Sequence, residues 1–396
     1  MAGVLNLVRV LDLTRNVAGP YCTMILADLG ADVVKIERPG EGDDTRQWRP
    51  PTWNGQSTTF LGLNRNKRSL AVDLDSPDGA AIVRRLALSA DVVVESFRPG
   101  SLARRGLAYE EINRDHPRVI YCSITGFGAS GPHRDRPGYD PVVQAYSGIM
   151  SITGEDGRPP VRVGPSLVDM GTGVWAALAI VGALYERERT GRGAQIATSL
   201  LEVGVAWVSY QLVGYLGSGR VPGRMGSQVA MIAPYEAFAT KEGYLFVAAP
   251  NDQIFARVCG ALGLDVLPND PRFRTNPTRV VHREALHKLV EERLRERPAG
   301  EWESLFLTLQ IPCSRIRTLD EVVSDLQVQA LELLMELPHP DVPDLRLVDL
   351  PVTVGGKRAQ RRLPPPRLGE HTDKILGEIG YRMDEIEALR RRNIVG

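Results

Sequence analysis

The first half of the chain alternates between short apolar runs and longer segments with helical periodicity. The short runs, rich in β-branched residues, predict strands, and the longer segments predict helices. Strands are predicted at 8–13, 32–37, 70–74, 91–97, 119–125 and 195–199, and helices at 20–29, from 76–78 onward, at 109–114 and at 201–216. This alternation is typical of a parallel sheet with helices on both faces, so we predict an α/β fold.

The pattern changes after residue 216, where the segment 217–227 combines several glycines with two arginines. Such a stretch is typical of a loop or a domain boundary. Beyond it, the pattern predicts a hairpin at 236–239 and 244–248, helices at 253–262, 279–297 and 301–309, a proline-rich tail from 338, and helices at 372–379 and 384–391. We therefore predict the first part of a large domain at 1–216, a linker at 217–227, a small α+β domain at 228–325, and a linker and return to the large domain at 326–396.

The length of 396 residues exceeds one ordinary core and agrees with two domains. The 48 basic and 48 acidic side chains leave no net charge to attract nucleic acid or an anionic membrane. The two longest apolar runs, 174–185 and 203–216, are shorter than the roughly 20 residues of a membrane span, so we predict buried core helices there. Neither nucleic acid nor a membrane is expected as a partner.

The N-terminus lacks a basic segment followed by a cleavage site, which favours a cytoplasmic location. His282 and His287 are five residues apart, off the i, i+4 face that a helical metal pair needs. The cysteines have no CxxC spacing and are expected to be reduced thiols: Cys22, Cys122, Cys259 and Cys313. We therefore predict no metal site.

The segment 126–131 (GFGASG) matches the GxGxxG pattern of dinucleotide-binding loops. That pattern binds pyrophosphate only where a helix follows at once, and Pro132 and Pro137 prevent a helix here. We therefore interpret the glycines as an irregular loop next to Tyr139 and Asp140, and expect no nicotinamide or flavin.

Basic residues recur near the ends of the predicted strands. In a parallel sheet the carboxyl ends of the strands line the ligand crevice, and several cations there suit a polyphosphate ligand. The residues of this set are Arg38, Lys67, Arg68, Arg98, Arg104 and Arg105.

Asp169 lies at the start of the apolar helix predicted around 174–185. The unpaired N–H groups and positive dipole end of a helix favour an ionised aspartate at this place. Asp169 is therefore either a structural N-cap or a nucleophile, and the local pattern by itself favours the cap.

Several ordered motifs along the chain carry a resemblance to a known family. They are 10–43, NKRSLAVDL at 66–74, DVVVESFRPG at 91–100, ITGFGASGP at 124–132, the Asp169 region followed by ERERTGRGAQI, and LGEHT at 368–372. With these motifs the chain resembles the family III CoA-transferases, which include formyl-CoA transferase and carnitine CoA-transferase. The resemblance implies a Rossmann-like large domain built from both chain ends, a small domain between them, an interlocked homodimer, and Asp169 as the nucleophile.

The same resemblance implies a set of CoA-binding positions. They are Val17, Ala18, Arg38, Val72, Asp73, Leu74, Asp75, Ser96, Phe97, Arg98, Arg104, Tyr139 and Asp140. Gly223, Arg224, Met225 and Gly226 replace a run of glycines found in formyl-CoA transferases, and we expect this loop to be a lid that excludes water. Arg224 either pairs with the distal carboxylate of a substrate or is exposed to solvent.

Other departures from the formyl-CoA transferases occur at Arg15, Val17, Asp75 and Pro137, where those enzymes have His, Gln, Lys and Lys. These departures argue against formate and oxalate as substrates. Racemases of the same superfamily have a histidine where this chain has Tyr139, and a tyrosine with a pKa near 10 is a poor base at neutral pH.

We therefore predict an acyl-CoA:carboxylate CoA-transferase that works through anhydride and aspartyl-CoA intermediates on Asp169. Succinyl-CoA is the expected donor and a small carboxylic acid the acceptor, with CoA thioesters as substrates and no tightly bound cofactor. The alternatives are a 2-methylacyl-CoA racemase and a catalytically inactive CoA-binding protein.

Overall fold

The structure is a computed structural model that describes residues 3–358 and 363–396. Its strands in chain order are β1 (Arg9–Leu13), β2 (Asp32–Glu37), β3 (Thr52–Trp53), β4 (Gln56–Ser57), β5 (Lys67–Ala71), β6 (Val92–Glu95), β7 (Ile120–Thr125), β8 (Ala194–Ser199), β9 (Tyr235–Ala239), β10 (Tyr244–Ala248), β11 (Cys313–Arg315), β12 (Leu334–Glu336) and β13 (Arg346–Val348).

The α-helices in chain order are α1 (Ala18–Asp28), α2 (Thr58–Leu63), α3 (Pro77–Ala87), α4 (Tyr109–Asp115), α5 (Asp140–Tyr146), α6 (Ile149–Ile152), α7 (Leu167–Thr190), α8 (Leu200–Trp207), α9 (Ser209–Ser218), α10 (Asp252–Ala261), α11 (Asn276–Val281), α12 (Arg283–Leu294), α13 (Ala299–Thr308), α14 (Leu319–Ser324), α15 (Leu326–Ala330), α16 (Thr372–Glu378) and α17 (Met383–Arg391).

The main sheet has six parallel strands in the order β5-β2-β1-β6-β7-β8. The chain builds outward from β1 through β2 to β5, then returns beside β1 with β6 and continues in the other direction. This is the doubly wound order, and it places a topological switch point between β1 and β6. The predicted α/β fold with a parallel sheet is therefore confirmed, and ligands of such sheets bind beyond the carboxyl ends of the strands at the switch point.

The predicted strand at 70–74 is wrong in position, because β5 spans Lys67–Ala71. Polar residues fill the first half of this strand, and they hide it from a hydrophobic pattern. After Ala71 the chain leaves the sheet: the Val72 amide still bonds to the Glu37 carbonyl, but the Asp73 amide bonds to the Ile394 carbonyl near the chain end. Residues 72–74 are therefore a loop at the carboxyl edge of the sheet.

The chain forms two compact units. The first comprises the described residues of Met1–Ile149, Val163–Leu212 and Leu326–Gly396, and the second comprises Met150–Arg162 and Val213–Asp325. In the first unit the C-terminal segment packs along the edge strand β5, where the His371 amide donates to the Ser69 carbonyl and the Gly396 amide to the Ala71 carbonyl. Both chain ends therefore contribute to the unit that carries the main sheet.

The second unit contains the antiparallel sheet β11-β10-β9 and the helices α10 to α13, which enclose a core of their own. The hairpin β9–β10 lies where the sequence predicts it. The segment 150–162 also belongs to this unit, which no feature of the sequence indicates.

Two predicted helical segments differ in their bounds. The helix expected at 201–216 is two helices, α8 and α9, interrupted at Val208, and α9 continues to Ser218 into the expected loop. The helix expected at 279–297 is also two helices, α11 and α12, interrupted at His282. Interruptions of one residue leave the hydrophobic period almost unchanged, so the pattern does not detect them.

The apolar helix α7 has 24 residues and is long and apolar enough, by length and composition only, to cross a membrane. One face packs tightly on α1, since a Cβ on Gly173 would lie 2.7 Å from the Ala18 carbonyl oxygen. The opposite face exposes Val174, Trp175 and Leu178 at 47–58%. The run at 174–185 is therefore a core helix that is buried along one face of the single chain, whereas the prediction of a buried helix at 203–216 is wrong for α9, which has no buried residue.

Candidate active site

A cleft opens at the carboxyl ends of β1, β2, β5 and β6 in the first unit. Six of the predicted CoA-binding residues line this cleft, namely Arg38, Val72, Asp73, Leu74, Asp75 and Phe97. Arg105, one of the predicted strand-end cations, also lines the cleft. The remaining lining residues, which the sequence did not indicate as ligand contacts, are Leu13, Arg15, Ile36, Glu37, Gly42 and Asp43. The cleft lies beside the topological switch point, where the fold rule predicts a ligand.

The remaining predicted CoA-binding residues lie around this cleft or apart from it. Val17 and Ala18 are buried at the start of α1, directly after the loop that follows β1. The Ser96 hydroxyl accepts a hydrogen bond from the Arg15 amide at 3.3 Å and so links the loops after β6 and β1. Tyr139 is 54% exposed at the start of α5.

The strand-end cations do not form one cluster, and Arg105 is half-buried in the cleft, where it pairs with Asp75. Arg38, Arg98 and Arg104 are exposed at the carboxyl side of the sheet. Within residues 3–358 and 363–396, Arg98 and Arg104 have no ion-pair partner. Lys67 and Arg68 instead begin β5, so they lie at the amino end of this strand and not at its carboxyl end. The expectation that they converge with the other cations is therefore wrong.

Lys67 belongs to a buried ionic network below the cleft. Its Nζ donates to the Asp12 carboxylate at 3.1 Å and to the Asn64 side chain at 2.9 Å, and all three side chains are inaccessible to solvent. Burial opposes the ionisation of Asp12. Even so, the charges of Lys67 and Lys35, with hydrogen bonds from two threonines, hold the pKa of the Asp12 carboxyl well below its usual range.

Lys35 extends this network to the loop after β1. Its Nζ lies 2.8 Å from the Asp43 carboxylate and donates to the Thr14 carbonyl at 2.9 Å. Asp43 also accepts a hydrogen bond from the amide of Asn16, which has a positive φ of 68°. Buried charges therefore hold the loop at the switch point in its conformation. A lysine in the middle of an apolar strand, as in DVVKIE, is the sequence signal that indicates such a network.

Asp169 lies in the first turn of α7. It is four residues before Gly173, so both residues lie on the face of α7 that packs on α1. It does not cap its helix. The cap is Asp140, whose Oδ2 accepts hydrogen bonds from the amides of Val168 at 2.8 Å and Asp169 at 3.2 Å. The local preference for a capping aspartate is thus satisfied by a residue from α5.

The Asp169 carboxylate is half-buried, and in the part of the chain that the structure describes it has neither an ion pair nor a hydrogen bond. Burial, followed by the nearby charge of Asp140, raises the pKa of Asp169 from 3.8 to about 7. A carboxylate that is poorly solvated and has no partner is a stronger nucleophile than one in water.

If Asp169 reacts as a carboxylate, the raised pKa predicts an acid limb in the pH profile. A carboxyl with a pKa of about 7 is protonated below that pH and cannot attack, so we expect kcat/KM to fall tenfold per pH unit below about 7. The measurement is the initial rate of CoA exchange between pH 5 and 9. A rate that stays constant down to pH 5 would contradict the raised pKa.

Close packing requires glycine at two places near the site. A Cβ on Gly171 would lie 2.8 Å from the indole of Trp207, so the second turn of α7 has no room for a side chain there. A Cβ on Gly138 would lie 2.5 Å from the Cα of Gly126, so the GFGASG loop packs directly on the segment before Tyr139. No helix follows that loop at once, as Pro132 and Pro137 predicted.

The predicted substrate loop at 223–226 is held to the segment 150–162 of the same unit by hydrogen bonds. Arg224 donates from Nε to the Glu155 carbonyl at 3.1 Å and from Nη2 to the Arg158 carbonyl at 2.6 Å. The Gly226 amide donates to the Gly154 carbonyl at 2.8 Å. The guanidinium of Arg224 therefore helps to hold the loop in its conformation.

No group of three or more His, Cys, Asp and Glu side chains that would hold a metal ion occurs among residues 3–358 and 363–396. His287 instead pairs with two glutamates, Glu236 at 2.8 Å and Glu291 at 3.3 Å.

Fold and site together define a doubly wound α/β protein with a cleft at its strand ends and, on a helix packed on α1, a carboxylate that has no partner among the described residues. Comparisons with known proteins extend this description. The model of CoA-transferase family III matches residues 5–372, so the chain belongs to this family. The predicted family is confirmed, and the protein is a CoA-transferase whose substrates include CoA thioesters.

Two curated relatives and one crystal structure illustrate the similarity. The succinyl-CoA:glutarate CoA-transferase of Mus musculus is 45% identical over 378 residues, covering 96% of this chain and 86% of the relative. The succinate–glutarate CoA-transferase of Agrobacterium fabrum is 39% identical and covers 94% of both chains. A CAIB/BAIF family protein from Brucella suis matches with a TM-score of 0.86 and 37% identity, covering 96% of this chain and 100% of that chain.

Proposed function

We propose that this enzyme transfers CoA from succinyl-CoA to glutarate or a closely related dicarboxylate, with Asp169 as the nucleophile. The observation that carries the proposal is the Asp169 carboxylate, which is half-buried, has no hydrogen bond or ion pair in the described chain, and lies on a helix whose N-terminus another residue caps. The substrate pair is supported by the names of relatives that are 45% and 39% identical to this chain.

The reaction proceeds in four acyl-transfer steps. The Asp169 oxygen attacks the thioester carbonyl of succinyl-CoA, which gives a mixed anhydride and releases CoA thiolate. The thiolate attacks the Asp169 carbonyl carbon, which gives an aspartyl-CoA thioester and releases succinate. The acceptor carboxylate then attacks this thioester and forms a second anhydride with release of the thiolate. Attack of the thiolate on the acceptor carbonyl gives the product thioester and regenerates Asp169.

CoA is proposed to lie in the cleft at the strand ends. The loop of Val72–Asp75 and the side chain of Phe97 line it. Ala18, at the start of α1, packs on α7 at Gly173, one turn from Asp169. The exposed guanidiniums of Arg38, Arg98 and Arg104 supply positive charge for the phosphates. Tyr139 is exposed and available for a ligand contact.

The loop at 219–227 is proposed to act as a lid during turnover. Excluding water protects the anhydrides from hydrolysis. Arg224 supports the conformation of the lid through its hydrogen bonds to the Glu155 and Arg158 carbonyls. We propose that the loop as a whole, and not Arg224 alone, recognises the distal carboxylate of the substrate.

A homodimer is proposed as the working form, with no nucleic acid or membrane partner and a cytoplasmic location. The apolar side chains exposed along α7 and α8, among them Trp175, Leu178 and Trp207, are between 42% and 58% accessible in the single chain. Exposed apolar surface of this kind marks a protein interface, and a second copy of the chain would cover it.

A substrate panel tests the function. Succinyl-CoA, acetyl-CoA and formyl-CoA are each incubated with glutarate, malate, oxalate and formate, and the product thioesters are measured by mass spectrometry. We expect glutaryl-CoA from succinyl-CoA and glutarate at the highest kcat/KM. Binding of CoA with no exchange in any pair would support an inactive CoA-binding protein.

The racemase alternative has its own readout. A 2-methylacyl-CoA is incubated with enzyme in heavy water and no acceptor acid. Incorporation of deuterium at the α-carbon would contradict the proposed transfer function, and we expect none because Tyr139 replaces the base histidine.

A further inference from the structure

Asp140 is the first residue of α5, and its side chain is engaged entirely within the protein. It is 2% exposed, and both carboxylate oxygens accept hydrogen bonds. Oδ2 accepts from the Val168 and Asp169 amides, and Oδ1 accepts from the Gln144 side chain at 2.5 Å. These bonds face the first turn of α7 and the body of α5.

Gln144 extends the arrangement by one further step. Its Nε2 donates to Asp140, and its Oε1 accepts from the Val163 amide at 2.8 Å. Gln144 is fully buried, so its amide has no competing water. The hydrogen bonds of Asp140 and Gln144 therefore connect α5 with the segment that precedes α7 and with the first turn of α7.

Ser166, the residue at the N-cap position of α7, makes no capping bond with its side chain. Without Asp140 the free amides of the first turn would be available to the carboxylate of Asp169, which is the acidic residue of that turn. A nucleophile that caps its own helix would turn away from its substrate and lose reactivity through those hydrogen bonds.

We propose that Asp140, held by Gln144, is a positioning residue for the nucleophile: it caps α7 so that the Asp169 carboxylate remains unbonded and directed toward the thioester. This inference rests on the proposed function, in which Asp169 attacks the substrate. It differs from the role implied by the family resemblance, in which Asp140 contacts CoA.

Two substitutions separate the positioning role from a CoA contact. Asp140→Ala removes the cap, and Gln144→Leu removes its support at similar volume. For both we expect kcat to fall about 10- to 100-fold, as for a reacting group moved by about 1 Å, with the dissociation constant for CoA unchanged in calorimetry. Asp384→Asn is the matched control, because Asp384 is also in a first helical turn but its side chain is 68% exposed.

Asp140→Asn changes the pH dependence of kcat/KM, which a general loss of structure would not do. The amide oxygen still accepts the helix bonds, but the negative charge is gone, so we expect the acid limb of kcat/KM to move to lower pH than in the unchanged enzyme. An unshifted acid limb, or CoA binding weakened at least tenfold with kcat unchanged, would overturn the proposal.

Hydrogen exchange distinguishes failure of this inference from failure of the proposed function, because it requires no turnover. Asp140→Ala is expected to accelerate exchange in the peptide that contains residues 163–170, whereas Asp169→Ala and Asp384→Asn leave it slow. Slow exchange in Asp140→Ala would refute the cap whatever the activity of Asp169 variants. Fast exchange in Asp140→Ala together with full activity in Asp169→Ala would refute the nucleophile instead.

Discussion

Replacement of Asp169 by alanine is expected to lower the rate of CoA exchange by about 10⁴-fold or more, because removal of a covalent nucleophile eliminates both anhydride intermediates. Alanine is preferred to asparagine because asparagine can return to aspartate by deamidation. The measurement is the transfer of CoA from succinyl-CoA to isotopically labelled glutarate.

Two controls accompany this variant. CoA affinity and thermal unfolding are expected to resemble those of the unchanged protein, since Asp169 makes no hydrogen bond or ion pair with its side chain in the described residues. Hydroxylamine added during turnover is expected to label Asp169 as a hydroxamate in the unchanged enzyme and to leave the alanine variant unlabelled. Full exchange activity in Asp169→Ala would contradict the assignment of the nucleophile.

Replacement of Lys67 by methionine is expected to destabilise the protein by about 3–5 kcal/mol, because it leaves the Asp12 carboxylate buried without its closest cation. Methionine preserves most of the aliphatic volume, so the loss reports the charge rather than a cavity. The measurement is the free energy of unfolding in urea, compared with Arg272→Ala, which breaks an exposed pair with Asp270 and is expected to cost less than about 1 kcal/mol.

A second substitution tests the physical reason. Asp12→Leu combined with Lys67→Met removes both buried charges, and we expect the double variant to be more stable than Lys67→Met alone. If Lys67→Met unfolds at the same urea concentration as the unchanged protein, Asp12 is stabilised by Lys35 and its threonines without Lys67.

Much of the first unit was predictable from local patterns. The bounds of β2 agree with the apolar run at 32–37, and α3 begins where Ser76 and Pro77 predict a capped helix, with the Ser76 hydroxyl accepting from the Gly79 amide at 3.0 Å. Period and caps act over a few residues, so they are readable without knowledge of the fold. The ordered motifs also identified the family, which the match over residues 5–372 confirms.

The choice between neighbouring residues was not predictable. Arg105 lines the cleft and pairs with Asp75, whereas the adjacent Arg104, which the resemblance selected, is exposed. Adjacent residues on a short turn point in different directions, and the sequence contains no signal for which one lines the cleft. Likewise, an apolar run predicts the helix α7 without showing that one of its faces is exposed in the single chain.

The sequence by itself determined the doubly wound α/β class, the family and the position of Asp169 at a helix start. Only the tertiary structure decided that the Asp169 carboxylate has no hydrogen bond within residues 3–358 and 363–396, because the helix N-terminus is capped by Asp140, 29 residues earlier in the chain. Local propensity favours Asp169 as the cap, and it is the packing of α5 against α7 that brings Asp140 to the helix N-terminus instead.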